Sequence, residues 1–184
     1  MLYLWILAFL AADVHDTAVY ATAAGDPGQG YQTLPCQWVE EGGRKWLDKG
    51  VIGGHENGRV MYVGRASYEG GVIPGKIIPW HNTLFIGSDG KEISFSKYQA
   101  LECTSGSQLI WIKGADGELP TGSLQGGNTS TGELLYIGRV HHDDTLTVGK
   151  LHTSLGCVSI GYYGQEYCHR QYEVLVWPIV QLVK

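Results

Sequence analysis

Short runs of alternating apolar and polar residues dominate the chain, and Gly or Pro interrupts almost every stretch of a dozen residues. No long helical periodicity can build up between such breaks. Residues 60–66 set Met61 and Val63 against Val60 and Tyr62, the alternation of a strand with one buried face. The same reasoning predicts strands over 76–80, 83–86, 92–95 and 98–102. Asn57-Gly58 and Asp89-Gly90 mark hairpin turns, because both central residues of a type I′ turn need positive φ.

The pattern then repeats. Val60-Met61-Tyr62-Val63-Gly64-Arg65-Ala66 returns as Leu134-Leu135-Tyr136-Ile137-Gly138-Arg139-Val140, at an offset of 74 positions. Pro74-Gly75-Lys76 returns as Val148-Gly149-Lys150, Gly90-Lys91-Glu92 as Gly164-Gln165-Glu166, and Tyr98-Gln99-Ala100-Leu101 as Tyr172-Glu173-Val174-Leu175, all at the same spacing. Upstream the offset is 73, pairing Trp38 with Trp111 and Gly53-Gly54 with Gly126-Gly127, so the second copy carries one extra residue before Gly132. The copies span 38–110 and 111–184. Two copies are too few for a propeller or a long solenoid. The expected architecture is all-β, two tandem homologous repeats forming one compact, pseudo-twofold domain of short antiparallel strands, each copy completing the other's sheet.

Composition agrees. Twenty-seven Gly and eleven Tyr against two Met suit tight turns between aromatic-rich strands. A net charge of -5 and no Lys/Arg cluster argue against nucleic acid and against an anionic membrane surface. Residues 2–12 are an uninterrupted apolar run, too short to span a bilayer and suited to a signal peptide over 1–23, although no Lys or Arg precedes it. The alternative is an N-terminal strand or buried arm. With a signal peptide the protein would be secreted.

Four cysteines, Cys36, Cys103, Cys157 and Cys168, allow three pairings. Cys157 and Cys168 stand symmetrically about Tyr162-Tyr163, so a hairpin centred there would set them face to face and leave Cys36 with Cys103. Four reduced thiols in a cytosolic protein are the other reading.

The string running from Gly53-Gly54 through Tyr62-Val63-Gly64-Arg65-Ala66, then Ile73-Pro74-Gly75-Lys76, Gly90-Lys91-Glu92 and Tyr172-Glu173-Val174-Leu175, resembles the DM-nine repeat family. Members carry two tandem copies and include invertebrate mannose-binding lectins and pathogen-responsive proteins of innate immunity. The resemblance implies a twofold all-β fold and a sugar site made by an Asp ten positions before the repeat Arg and by the Lys of the P-G-K motif. Lys76 and Lys150 match that Lys. The Asp is replaced by His55, beside Glu56, in the first copy and by Asn128 or Thr129 in the second. A carboxylate and an ammonium offer a hexose an acceptor and a donor through charge-assisted hydrogen bonds. Neutral His55 loses the charge and one oxygen, whereas Asn128 keeps one acceptor and one donor. Asn128-Thr129-Ser130 is also an N-glycosylation sequon, and a glycan there would crowd the second site.

Other candidates read as structural. His141-His142-Asp143-Asp144 has metal-ligand composition, yet the first copy holds Ser67-Tyr68-Glu69-Gly70 there, and adjacent strand residues face opposite ways. Arg65 and Arg139 suit closing a strand end on Glu92 and Glu166 better than touching ligand. Trp38, Trp111, Trp46 and Trp177 could stack on sugar rings, but the recurring Trp38 and Trp111 read first as core anchors. No nucleophile elbow, phosphate loop, paired-histidine zinc motif or dinucleotide fingerprint occurs. The expected protein is therefore not an enzyme and needs no cofactor or metal. It is a lectin for mannose-type glycans on microbial surfaces, using the Pro74-Gly75-Lys76 and Val148-Gly149-Lys150 corners, with a homodimer adding avidity. The alternative is a secreted structural or protein-interaction module that has lost sugar binding.

Overall fold

The computed structural model describes residues 35–40, 45–104 and 109–178. The expected signal peptide lies outside these residues. The first copy runs β1 (Cys36–Glu40), a 3₁₀ turn (Lys45–Asp48), β2 (Ile52–Glu56), β3 (Arg59–Tyr68), β4 (Gly71–Ile78), β5 (Thr83–Ser88), β6 (Lys91–Phe95) and β7 (Gln99–Cys103). The second runs β8 (Ile110–Ala115), β9 (Gln125–Asn128), β10 (Leu134–His142), β11 (Thr145–His152), a 3₁₀ turn (Thr153–Leu155), β12 (Cys157–Tyr162), β13 (Gln165–His169) and β14 (Gln171–Val176). Each strand of one copy thus has its counterpart in the other.

The sheet closes on itself. Starting at β2, the hydrogen-bonded ring passes through β3, β4, β5, β6, β13, β12 and β11 and returns to β2, an eight-stranded antiparallel barrel. Exchanging the copies gives a second ring through β9 and β10 that shares β4, β5, β6, β11, β12 and β13. The remaining strands extend the sheet, β7 and β1 beyond β3, β14 and β8 beyond β10. The copies are interleaved: β2 lies between its own β3 and the other copy's β11, and β9 lies between β10 and the first copy's β4. Neither copy could close a barrel alone, as the duplication predicts.

The recurring double glycine follows from this crossing. A Cβ on Gly54 would collide with the Leu146 carbonyl of β11, and one on Gly127 with the Val72 carbonyl of β4. Val72 and Leu146 are themselves repeat counterparts, so the same close backbone approach is made twice. Their neighbours Gly53 and Gly126 sit against Val148 and Pro74 in the same way.

Several strands run further than alternation alone indicates. The stretch expected over 76–80 begins at Gly71 and ends at Ile78, so Pro74-Gly75-Lys76 and Val148-Gly149-Lys150 lie in mid-strand and are not corners. Pro74 is tolerated because β4 changes neighbour there, pairing with β9 at Val72 and with β5 from Lys76 onward. Asn57-Gly58 and Asp89-Gly90 form the expected turns with positive φ. The extra residue of the second copy falls between β9 and β10, where residues 129–133 replace a two-residue turn.

Among the described residues, three apolar clusters fill the body. One mixes the copies directly, with Val63 and Leu101 packed against Leu124, Ile137, Val148 and Leu175. Two disulfides are present, Cys36–Cys103 between paired positions of β1 and β7, and Cys157–Cys168 across the β12–β13 hairpin. The second hairpin turns on Tyr163-Gly164 and not on Tyr162-Tyr163. Cys168 therefore stands opposite Ser159, and the bridge to Cys157 runs diagonally.

Gly54→Ala and Gly127→Ala should each cost about 1–3 kcal/mol, the usual penalty of overpacking. Urea unfolding checks this, as a lowered midpoint at unchanged slope.

Candidate functional site

Both lysines of the repeat point inward. Lys76 is 5% exposed and Lys150 8%. The Lys76 ammonium donates to the Gly161 carbonyl at 2.7 Å and pairs with Glu92 at 3.1 Å. Lys150 does the same with the Gly87 carbonyl at 2.7 Å and with Glu166 at 3.2 Å. Each lysine thus takes a carboxylate from its own copy and a carbonyl from the other. The second oxygen of each carboxylate accepts the backbone N–H of the opposite hairpin turn, Gly164 for Glu92 and Gly90 for Glu166, both at 3.0 Å. Gly87 and Gly161 are counterparts, so one four-point lock is built twice. These partners use two of each ammonium's three hydrogens.

What faces the remaining side of each ammonium differs. Lys150 borders an open cleft of about 320 Å³. Its walls are Tyr68 and Glu69 at the end of β3, Ser88 and Asp89 at the β5–β6 turn, Thr129 and Ser130 of the β9–β10 loop, and His152 and Glu166. Ile73, Leu135 and Leu155 supply its apolar surface. Tyr68 holds its proton above the ordinary tyrosine range, first through burial and then through the charges of Glu69 and Asp89 beside it. His152 meets Glu133 at 3.0 Å, and Ser154 also donates to Glu133. These bonds hold the Glu133 carboxyl below its usual range, His152 contributing most.

At the corresponding place in the first copy, Lys76 faces rings. Tyr162, the counterpart of Ser88, lies 5.4 Å from the ammonium, and Phe85 lies 5.9 Å away. Tyr162 is 8% exposed and packs against His142 and Tyr163. Burial raises its pKa above the ordinary value, and the nearby charges of Asp143 and Glu56 add to the shift.

The expected sugar residues therefore separate. Lys150 and Thr129 share the open cleft. His55 and Asn128 are equivalent by register: His55 pairs with Val60 and Leu146, Asn128 with their counterparts Leu134 and Val72. His55 is exposed, Glu56 half-buried, and the Asn128 amide donates to the Thr129 carbonyl at 2.9 Å. The sequon thus stands at the cleft's rim. Sequence reasoning missed Glu69, Ser88 and Asp89, which come from the first copy and line the cleft beside the second copy's lysine. The signal was the self-alignment of Ser88 with Tyr162.

The repeat arginines take partners other than Glu92 and Glu166, which the lysines occupy. Arg65 donates to Gln99 at 2.7 Å and Arg139 pairs with Glu173 at 2.7 Å, because these residues face each other across neighbouring strands. Each guanidinium also lies 4.3 Å over a tryptophan, Arg65 over Trp38 and Arg139 over Trp111. Trp38 and Trp111 are half-buried on the cluster they flank, while Trp46 is sealed in the core. A wider groove of about 740 Å³ runs past Arg139 and Tyr172. Its main polar groups already bond one another, Arg139 to Glu173 and the Tyr172 hydroxyl to the Glu118 carbonyl and the Gly117 N–H. His141 and His142 face opposite ways: His141 is exposed, while His142 meets His169 at 3.0 Å and packs on Tyr162 and Tyr167.

A closed antiparallel barrel made by two interleaved copies, with the same lysine–glutamate lock in each, defines a tandem-repeat β protein. The DM9 repeat matches residues 15–95 and 55–169, and the chain belongs to the DM9 repeat family. The fold is similar to the crystal structure of the nematode sperm cell motility protein MFP2B, with a TM-score of 0.59 and 13% identity over 86% of this chain. The chain spans about half of that protein, 52% of its length, and at this identity the likeness concerns the fold alone. No curated protein matches the chain.

Glu166→Ala strands the Lys150 charge in the interior and should cost about 3–5 kcal/mol in denaturant unfolding, as removal of one buried partner does. The His142–His169 contact generates a pH dependence. Burial and then His142 hold the His169 pKa below its usual 6.5. The folded state therefore binds this proton less readily than the unfolded chain, and stability falls as pH drops from about 6.5 through the depressed value. The melting temperature should drop between pH 7.5 and 5, and His169→Gln should flatten that slope.

Proposed function

We propose that the protein is a secreted carbohydrate-binding module holding a mannose-type unit in the cleft beside Lys150. The observation that carries the reading is the chemistry of that cleft. It joins an ammonium with an unspent donor hydrogen to the carboxylates of Glu69, Asp89 and Glu166, around apolar and aromatic surface. A pyranose presents the same combination, a ring of hydroxyls that each donate and accept, and apolar C–H faces. The volume of about 320 Å³ is at the low end of small-ligand clefts, about 300–1,000 Å³, as a single sugar unit requires. Asp89 and Glu69 supply the acceptor charge that His55 and Asn128 lack.

Two disulfides suit an oxidising compartment and support export. Recognition of microbial glycans in innate immunity follows from what the family resemblance implies. A single monosaccharide site is weak, so avidity on a polymeric glycan would come from pairing chains. The second reading, a protein-interaction module, draws its support from the engagement of both lysines in the barrel lock.

The test is retention of the mature protein on mannan beads with free mannose as competitor. Asp89→Asn should weaken binding about ten- to a hundredfold, the worth of one charge-assisted hydrogen bond at about 1.5–3 kcal/mol. Absence of retention sinks mannose specificity. A blank signal across a broad glycan array rejects sugar binding and selects the interaction module.

A further inference from the structure

The two copies carry the same lock but not the same mouth. The second copy's lysine opens on Ser88, while the first copy's lysine is covered by Tyr162, and these are the same position of the repeat. Thr147 is the repeat counterpart of the Ile73 that lines the open cleft with Lys150, so the twofold relation assigns it to the first copy's equivalent place, on the side of Lys76. Thr147 is 1% exposed, and its hydroxyl has no hydrogen-bond partner among the described residues. A buried hydroxyl left unbonded costs free energy that an apolar residue there would avoid. The Tyr162 ring beside Lys76 and the unbonded Thr147 hydroxyl both occur where the second copy has its open cleft.

We infer that Tyr162 is a built-in stopper: it closes a second monosaccharide site over Lys76 and Thr147 and makes the chain monovalent. The inference rests on the sugar-binding reading above for the identity of the ligand. The ring is held by contacts rather than by chance packing. His142 meets it edge-on at 4.6 Å and Tyr163 at 4.5 Å, and His142 is itself held by His169 at 3.0 Å. Its counterpart Ser88 is too short to reach across, and the cleft over Lys150 stands open. The residue at this one repeat position therefore decides how many of the two equivalent recesses accept a ligand.

The experiment is a reciprocal exchange in the full mature chain, with the number of methyl α-mannoside molecules bound read by calorimetry or ligand-observed NMR. Wild type should bind one, Tyr162→Ser two, Ser88→Tyr none, and the double exchange one. Tyr162→Phe keeps the ring and should stay at one. Two sites in wild type, or one site in a folded Tyr162→Ser, overturn the stopper. Should Tyr162→Ser fail to fold, Ser88→Tyr still decides, because undiminished binding there shows that a ring at this position blocks nothing. If wild type binds no sugar and Tyr162→Ser gains a site, the stopper stands and the function of the open cleft is rejected. If neither binds, both fall.

Discussion

Two lysines carry their charge into the interior of the barrel, and the arrangement of everything around them follows from how those charges are met. Isolated, each would be expensive to bury, because desolvation of an ammonium outweighs most single contacts. Here each ammonium meets one carboxylate and one carbonyl, and each carboxylate spends its other oxygen on a turn N–H of the opposite copy. Every member of this set takes at least one partner from the other copy. The lock therefore pins one repeat against the other at defined donor and acceptor atoms, adding to the register that the buried apolar faces already set. Around it the barrel needs only close approach, which the paired glycines allow, and filling, which the mixed clusters provide.

The lock also explains what has diverged between the copies and what has not. Lysines, glutamates and their carbonyl partners recur as pairs, while the residues at the barrel mouth differ: Ser88 against Tyr162, Tyr68 against His142, Ile73 against Thr147. Substitutions at the mouth leave the lock untouched, so the mouth can change without rebuilding the fold.

Much of the architecture was legible because it is written locally. Alternation, the Asn-Gly and Asp-Gly turns and the repeated motifs located most strands and the twofold body. Strand partners were less legible. The double glycine signals close approach but not to which strand, and β2 and β9 reach across to the other copy. The lysines illustrate the same limit. A lysine in a repeated motif of a hairpin-rich chain reads as an exposed donor, yet its burial depends on the Gly161 carbonyl, 85 residues away. The repeat arginines failed for a related reason: their proposed glutamates were in the right copy but already committed. The site was half legible, since Lys150 and Thr129 meet in the cleft while the carboxylates facing them belong to the other repeat. The diagonal disulfide shows how a shift of one residue in a turn centre moves every cross-strand pair.

The interleaving of β2 and β9 amounts to a strand-exchanged dimer fused into one polypeptide. Separate halves would have to find each other from solution, at a rate and affinity set by concentration, and would carry unpaired strand edges until they did. Joining them end to end makes that encounter intramolecular, where the effective concentration no longer depends on how much protein is present. Dilution, which dissociates an ordinary dimer, has nothing to act on here. A protein built this way keeps its folded form however far it is diluted.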